Sequence, residues 1–183
     1  MKTILPALTS LLLLTATAQA APVTKTYTDS GYHFSVQYPA TWRLDRTARA
    51  NTGPADTQLI IGFAVPDSLT NGTNLSRESR ISIETLTKGA CSAARFLEDG
   101  ADTKTVRENG VRYSVGNFGD AGAGNYYEQT VYVRPDTKPC LAVRLFIHST
   151  NIGNYDPGTI REFDRKTLDA TFDNIRHSLK TGR

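Results

Sequence analysis

The residues with the most capacity for chemistry lie in one stretch of the chain, between Gly124 and Thr150. Two runs rich in β-branched and aromatic residues flank a turn cluster, so this stretch is predicted to form a β-hairpin. With Val133 placed opposite Leu141, one face becomes almost wholly apolar and the other becomes polar and aromatic. The polar face would carry the candidate binding residues, which are Tyr126, Glu128, Tyr132, Arg144 and His148.

This polar face has two interpretations. In the register above, Arg144 lies opposite Thr130 and diagonal to Glu128, within reach of an ion pair. The first interpretation is a structural polar layer, because buried charges must be paired. The second is the floor of a small binding pocket for a ligand or a partner protein.

Catalytic machinery is not predicted. Ser149 adjoins His148, but neighbours on a strand point to opposite faces of the sheet. No G-x-S-x-G motif is present, and no spacing of His, Asp or Glu is typical of a metal site. The sequence therefore predicts a non-enzymatic accessory or binding module without cofactor or metal. The alternative is a small hydrolase that uses His148 and Glu128.

The chain opens with the features of a secretory signal peptide. Lys2 precedes an apolar run from Ile4 to Leu14, and Ala18-Gln19-Ala20 supplies a small-x-small cleavage site. The apolar run is too short to span a bilayer, and no cysteine follows the cleavage site to take a lipid anchor. We expect residues 1–20 to be a signal peptide, residues 21–183 a single domain, and the protein periplasmic or secreted without a membrane anchor.

Two cysteines, Cys91 and Cys140, are present. In an exported protein an even pair predicts a disulfide. The net charge is close to balanced, at +3, and the basic residues are scattered along the chain, which argues against a nucleic-acid partner.

The elements around the hairpin predict an α+β fold. Alternating segments predict a mainly antiparallel sheet, and the Asn109-Gly110 pair favours a tight hairpin turn. A last helix, capped by Thr159, would cover the apolar face of the sheet through the stripe Phe163, Leu168, Phe172, Ile175 and Leu179. A short helix from Cys91 to Asp99, tied to Cys140, would cover the other face. The result is a three-layer α/β/α sandwich.

Two segments resemble a known family. The run Gly31-Tyr-His-Phe-Ser-Val-Gln-Tyr-Pro39-Ala-Thr-Trp42 is similar to the opening of PsbP-like domains, and Phe172-Asp-Asn-Ile-Arg-His-Ser-Leu179 is similar to their final helix. The resemblance implies a PsbP-like fold around a mainly antiparallel sheet. It also implies a non-catalytic accessory or binding role, with no functional residue carried over to this chain.

Removal of the signal peptide is the first testable expectation. The n-region, h-region and small-x-small pattern predict that the exported protein begins at Ala21, which intact-mass analysis would show. A mature chain that keeps the leucines at positions 11 to 14 would contradict the export prediction.

Overall fold

The computed structural model describes residues 23–47, 54 and 56–182, so the predicted signal peptide lies outside the described residues. The strands, in chain order, are β1 (Thr24–Asp29), β2 (Phe34–Pro39), β3 (Arg43–Asp45), β4 (Thr57–Ala64), β5 (Arg80–Leu86), β6 (Asp102–Glu108), β7 (Val111–Gly122), β8 (Asn125–Arg134), β9 (Leu141–Thr150) and β10 (Lys180–Thr181). The helices are α1 (Asp67–Thr70) and α2 (Arg165–Ser178), and two 3-10 turns lie at Ala93–Arg95 and Ile152–Asn154.

Two antiparallel sheets form the framework. The larger has seven strands in the order β3-β4-β5-β9-β8-β7-β6, and the smaller has three in the order β1-β2-β10. Each pairing between these strands is antiparallel, as the alternating segments predict. The predicted turn between β6 and β7 is confirmed, with positive φ angles of 50° at Asn109 and 79° at Gly110.

Helix α2 covers one face of the large sheet. Its Leu168, Phe172 and Ile175 lie in one buried cluster with alternate residues of β9, from Leu141 to Ile147. The predicted packing of the last helix on this face is therefore confirmed. The predicted cap is wrong: the Thr159 hydroxyl donates to the Asp156 carbonyl instead.

Asp164 is the residue that caps α2. Its carboxylate accepts a hydrogen bond from the Thr167 N–H at 2.9 Å, which satisfies a free N–H group of the first turn. This backbone bond, together with one from the Thr167 hydroxyl, lowers the pKa of Asp164. The helix therefore starts at Arg165, six residues beyond the predicted cap.

The second face of the large sheet is covered by a loop. Between Cys91 and Asp99 only Ala93–Arg95 is helical, as a single 3-10 turn, so the predicted short helix and the helical third layer are wrong. The Cys91–Cys140 disulfide is present, with the two Cα atoms 5.5 Å apart. Below it, Phe96 and Leu97 are buried against the sheet. The loop lies so close that a Cβ added at Gly116 would be 2.6 Å from the Leu97 side chain.

The β8–β9 hairpin has a different register from the predicted one. Val133 lies opposite Ala142, and Arg134 lies opposite Leu141, a slip of one residue. The prediction relied on apolar matching, but Val131 and Val133 are fully buried on the loop-covered face, while β9 is buried on both faces. Because β9 is buried on both faces, it has no polar face to contrast with an apolar one. The apolar pattern therefore does not select one register over the other.

A mutation tests the docking of α2. Phe172→Ala should cost about 3–5 kcal/mol, because it leaves a cavity beneath the helix. Lys166→Ala, on the exposed side of the same helix, should cost less than about 0.5 kcal/mol. Urea unfolding curves would measure both, and equal costs would contradict the observed helix orientation.

Candidate functional site

The structure separates the five predicted binding residues. Because the register is shifted, Tyr126, Glu128 and Tyr132 lie on the α2 side of the sheet, whereas Arg144 and His148 lie on the loop-covered side. Tyr126 is exposed, and Glu128 pairs with Arg165 of α2. The predicted single polar face is therefore wrong, and no site unites these side chains.

Tyr132 belongs to the packing of α2. Its ring lies 3.9 Å from the Arg176 guanidinium carbon and 5.8 Å from the centroid of Phe172. Burial raises the pKa of the Tyr132 hydroxyl and outweighs the opposing charge of Arg176. Arg176 in turn pairs with Asp173 at 2.7 Å. This cluster holds the C-terminal half of α2 on the sheet.

Arg144 is a structural residue inside the protein. Its side chain is fully buried, and its Nε and Nη2 donate to the two carboxylate oxygens of Glu84 at 2.9 and 2.8 Å. The same Nη2 donates to the Phe96 carbonyl at 2.7 Å, and Nη1 donates to Gln129. The partner of Arg144 is thus Glu84 of β5, and the predicted pairing with Glu128 is wrong.

Among the described residues, neither ring nitrogen of His148 contacts a hydroxyl or thiol that could act as nucleophile. Its Nδ1 lies 3.0 Å from a carboxylate oxygen of Glu78, and its Nε2 lies 3.0 Å from the side-chain oxygen of Asn125. The Tyr127 ring stacks on the imidazole at 4.6 Å between centroids. Glu128 lies on the opposite face of the sheet. The geometry gives no support to a hydrolase that uses His148 and Glu128.

A cleft of about 500 Å³ lies where the small sheet meets α2. One wall comes from the end of β2 and the turn that follows it, a second from α1 and Pro66, and a third from α2. The Gln37 N–H donates to the Ser178 hydroxyl at 2.8 Å, which ties the end of α2 to β2. Both long walls are therefore held by regular structure.

The lining of this cleft divides into a floor and a rim. The floor is made of buried or half-buried apolar and aromatic side chains, which include Tyr38, Trp42, Leu69 and Ile175. The rim is made of exposed side chains that are polar but uncharged: Thr24, Gln37, Thr41, Ser68, Thr167 and Asn174. None of the described residues that line the cleft is Asp, Glu, Lys, Arg or His. A concave apolar site with a few polar groups is typical of small-molecule binding.

The cleft is not anticipated by the sequence analysis, although one signal was available. Thr167, Thr171 and Asn174 follow one another at spacings of four and three, so they share a face of α2. Uncharged polar residues on that face contrast with the charged outer residues of the same helix. The other walls come from segments about 100 residues or more away in sequence, which no local pattern could place beside α2.

The described residues hold neither a metal cluster nor a membrane-spanning helix. No group of three or more His, Cys, Asp or Glu side chains there could hold a metal ion. No helix in the described part of the chain has the length and apolar character needed to cross a membrane.

No protein-family model and no curated protein matches this chain. Among solved structures, the chain is similar to cyanobacterial PsbP (CyanoP) from Synechocystis sp. PCC 6803, at 13% identity and a TM-score of 0.46 over 93% of this chain and 99% of that chain. It is also similar to a protein from Bacteroides thetaiotaomicron, at 14% identity and a TM-score of 0.48 over 87% of this chain.

The Bacteroides thetaiotaomicron protein is the longer of the two, since this chain spans about half its length, 48%. The likeness to PsbP-like domains expected from the sequence recurs in this comparison. Nothing about a ligand or partner of this chain follows from that likeness.

The partner of Arg144 can be tested by substitution. Arg144→Met should cost about 3–5 kcal/mol, because the Glu84 carboxylate is left buried and unpaired. Adding Glu84→Met should recover much of that loss, since two apolar side chains of similar length replace the ion pair. Urea unfolding followed by the fluorescence of Trp42, the single tryptophan, would measure both changes.

Glu128→Gln is the matched control. It breaks only the half-exposed pair with Arg165 and should cost less than about 1 kcal/mol. A loss of stability equal to that of Arg144→Met would contradict the assignment of Glu84 as the buried partner.

Proposed function

We propose that this protein is an exported, non-enzymatic binding module that holds a small ligand in the cleft between β2, α1 and α2. The observation that carries the proposal is the cleft itself, with a floor of apolar and aromatic side chains and a polar rim. Its volume of about 500 Å³ falls in the range of small-molecule sites, roughly 300–1,000 Å³.

The arrangement of side chains favours binding over catalysis. A hydrolytic site needs a nucleophile within hydrogen-bond reach of a base. Among the described residues, the ring nitrogens of His148 contact a carboxylate and an amide oxygen instead. Within the described chain the Ser79 hydroxyl bonds to the backbone of His148 and not to its ring, donating to the carbonyl at 3.1 Å and accepting from the N–H at 3.0 Å. The cleft has no charged lining residue in the described chain that could serve as acid or base.

Export of the protein is the second part of the proposal. The Cys91–Cys140 disulfide supports it, because disulfides persist in the periplasm and outside the cell. The signal-like residues 1–20 point the same way. We therefore place the module in the periplasm or the extracellular space.

Blocking the cleft tests the binding function. N-phenyl-1-naphthylamine is a neutral apolar dye whose fluorescence rises on binding, and it should bind the wild-type protein. Asn174→Trp puts a large side chain on the α2 wall, and it should weaken binding of the dye by about tenfold or more. Asn174 suits this test because its side chain is exposed and makes no hydrogen bond within the described chain.

Lys166→Trp is the matched control, because it adds the same side chain to the exposed side of α2 and does not line the cleft. It should leave dye binding unchanged. A dye that bound both variants equally well, or did not bind the wild type, would overturn the cleft as the binding site.

A further inference from the structure

We infer that the ligand of the cleft is an uncharged amphiphile, with an apolar body on the floor and a neutral polar head at the rim. The inference rests on the proposed function and adds the chemical class of the ligand. Four features of the cleft support it: the floor, the missing charges, the rim and the shape of the site.

The floor sets the character of the buried part of the ligand. Trp42 is 5% exposed and Tyr38 is 7% exposed, so each presents only a small part of its surface to the cleft. Leu69 and Ile175 line the same cleft, so its apolar lining comes from all three walls. Water leaves such a surface readily when an apolar group replaces it, which favours a hydrocarbon or ring as the inserted part.

The uncharged lining favours a neutral head over an ionic one. An ion that leaves water is stabilised inside a protein only by an opposite charge or by several hydrogen bonds directed at it. No lining side chain in the described part of the chain carries either sign of charge. A carboxylate, a phosphate or an ammonium group would find no counter-charge there, whereas the uncharged hydrogen-bonding groups of the rim match a neutral head.

The rim supplies what a neutral head needs. Gln37 on β2 and Asn174 on α2 stand on different walls, and neither side-chain amide bonds to another residue of the described chain. An amide offers both donors and an acceptor. The hydroxyls of Thr41 and Ser68 add groups that can also donate or accept. Hydroxyl, ether and amide heads match such a set without any net charge.

The fixed walls and the volume of the cleft suit one small molecule. The hydrogen bond between Gln37 and Ser178 holds α2 against β2, so the distance between these walls is set by the fold. The volume, about 500 Å³, is that of a site for one small molecule.

Three amphiphiles with the same eight-carbon chain and different heads test the ligand class. These are n-octyl-β-glucoside, octanoate and octyltrimethylammonium, each used below its micelle concentration to displace N-phenyl-1-naphthylamine from the wild-type protein. The neutral glucoside should displace the dye at about one tenth of the concentration that either charged amphiphile needs, or less.

Two isosteric changes at the rim and one control outside the cleft sharpen the test. Gln37→Glu adds a negative charge to the rim and should weaken the glucoside while strengthening octyltrimethylammonium. Gln58→Glu makes the same change at an exposed strand residue outside the cleft and should alter neither. Asn174→Asp repeats the change from the α2 wall, so the test does not depend on the folding of one variant.

The results distinguish the neutral ligand class from the cleft as the binding site. If a charged amphiphile displaces the dye as well as the glucoside does, and Asn174→Trp still blocks the dye, the ligand class is wrong. The cleft then remains a binding site. Equal effects of Gln37→Glu and Gln58→Glu also overturn the neutral ligand class. A dye insensitive to Asn174→Trp overturns the proposed function and this inference together.

Discussion

The buried ion pair between Arg144 and Glu84 is the constraint on which the large sheet depends. Both side chains lie at the centre of the protein, with exposures of 0% and 2%, where an unpaired charge is strongly unfavourable. Arg144 on β9 therefore requires Glu84 on β5 and Gln129 on β8 beside it. A slip of β9 against either neighbour would break these contacts, so the pair supplies the specificity of register that apolar packing alone does not.

The same guanidinium also organises the second face of the sheet. Its hydrogen bond to the Phe96 carbonyl attaches the loop of residues 91–99 to the sheet. The Cys91–Cys140 disulfide attaches the start of that loop to the residue before β9. This loop can therefore cover the sheet although it contains only one 3-10 turn, because its backbone polar groups and its apolar side chains both find partners. The two faces thus differ in kind: a regular helix covers one, and an anchored loop covers the other.

Local patterns predicted the elements well and their pairing poorly. The turn at Asn109-Gly110 and the apolar stripe of α2 are each encoded by residues close together in sequence. The disulfide is indicated by residue type alone, since the chain has two cysteines. The register of β8 and β9 carries no such signal, because β9 is buried on both faces and its polar partner Glu84 lies 60 residues away in sequence. The cleft was missed for the same reason, since its walls are brought together only by the tertiary fold.

The cleft joins the two ends of the described chain. Its walls include Thr24 and Gln37 near the start and Asn174 and Ile175 near the finish. A ligand bound there would contact segments that are far apart in the unfolded chain and would stabilise their association only while it is bound. By mass action, a ligand at one hundred times its dissociation constant adds about 2.7 kcal/mol to the stability of the native state. Occupancy would then also govern how often the terminal strand and helix open to proteases, so the ligand would control the lifetime of the protein.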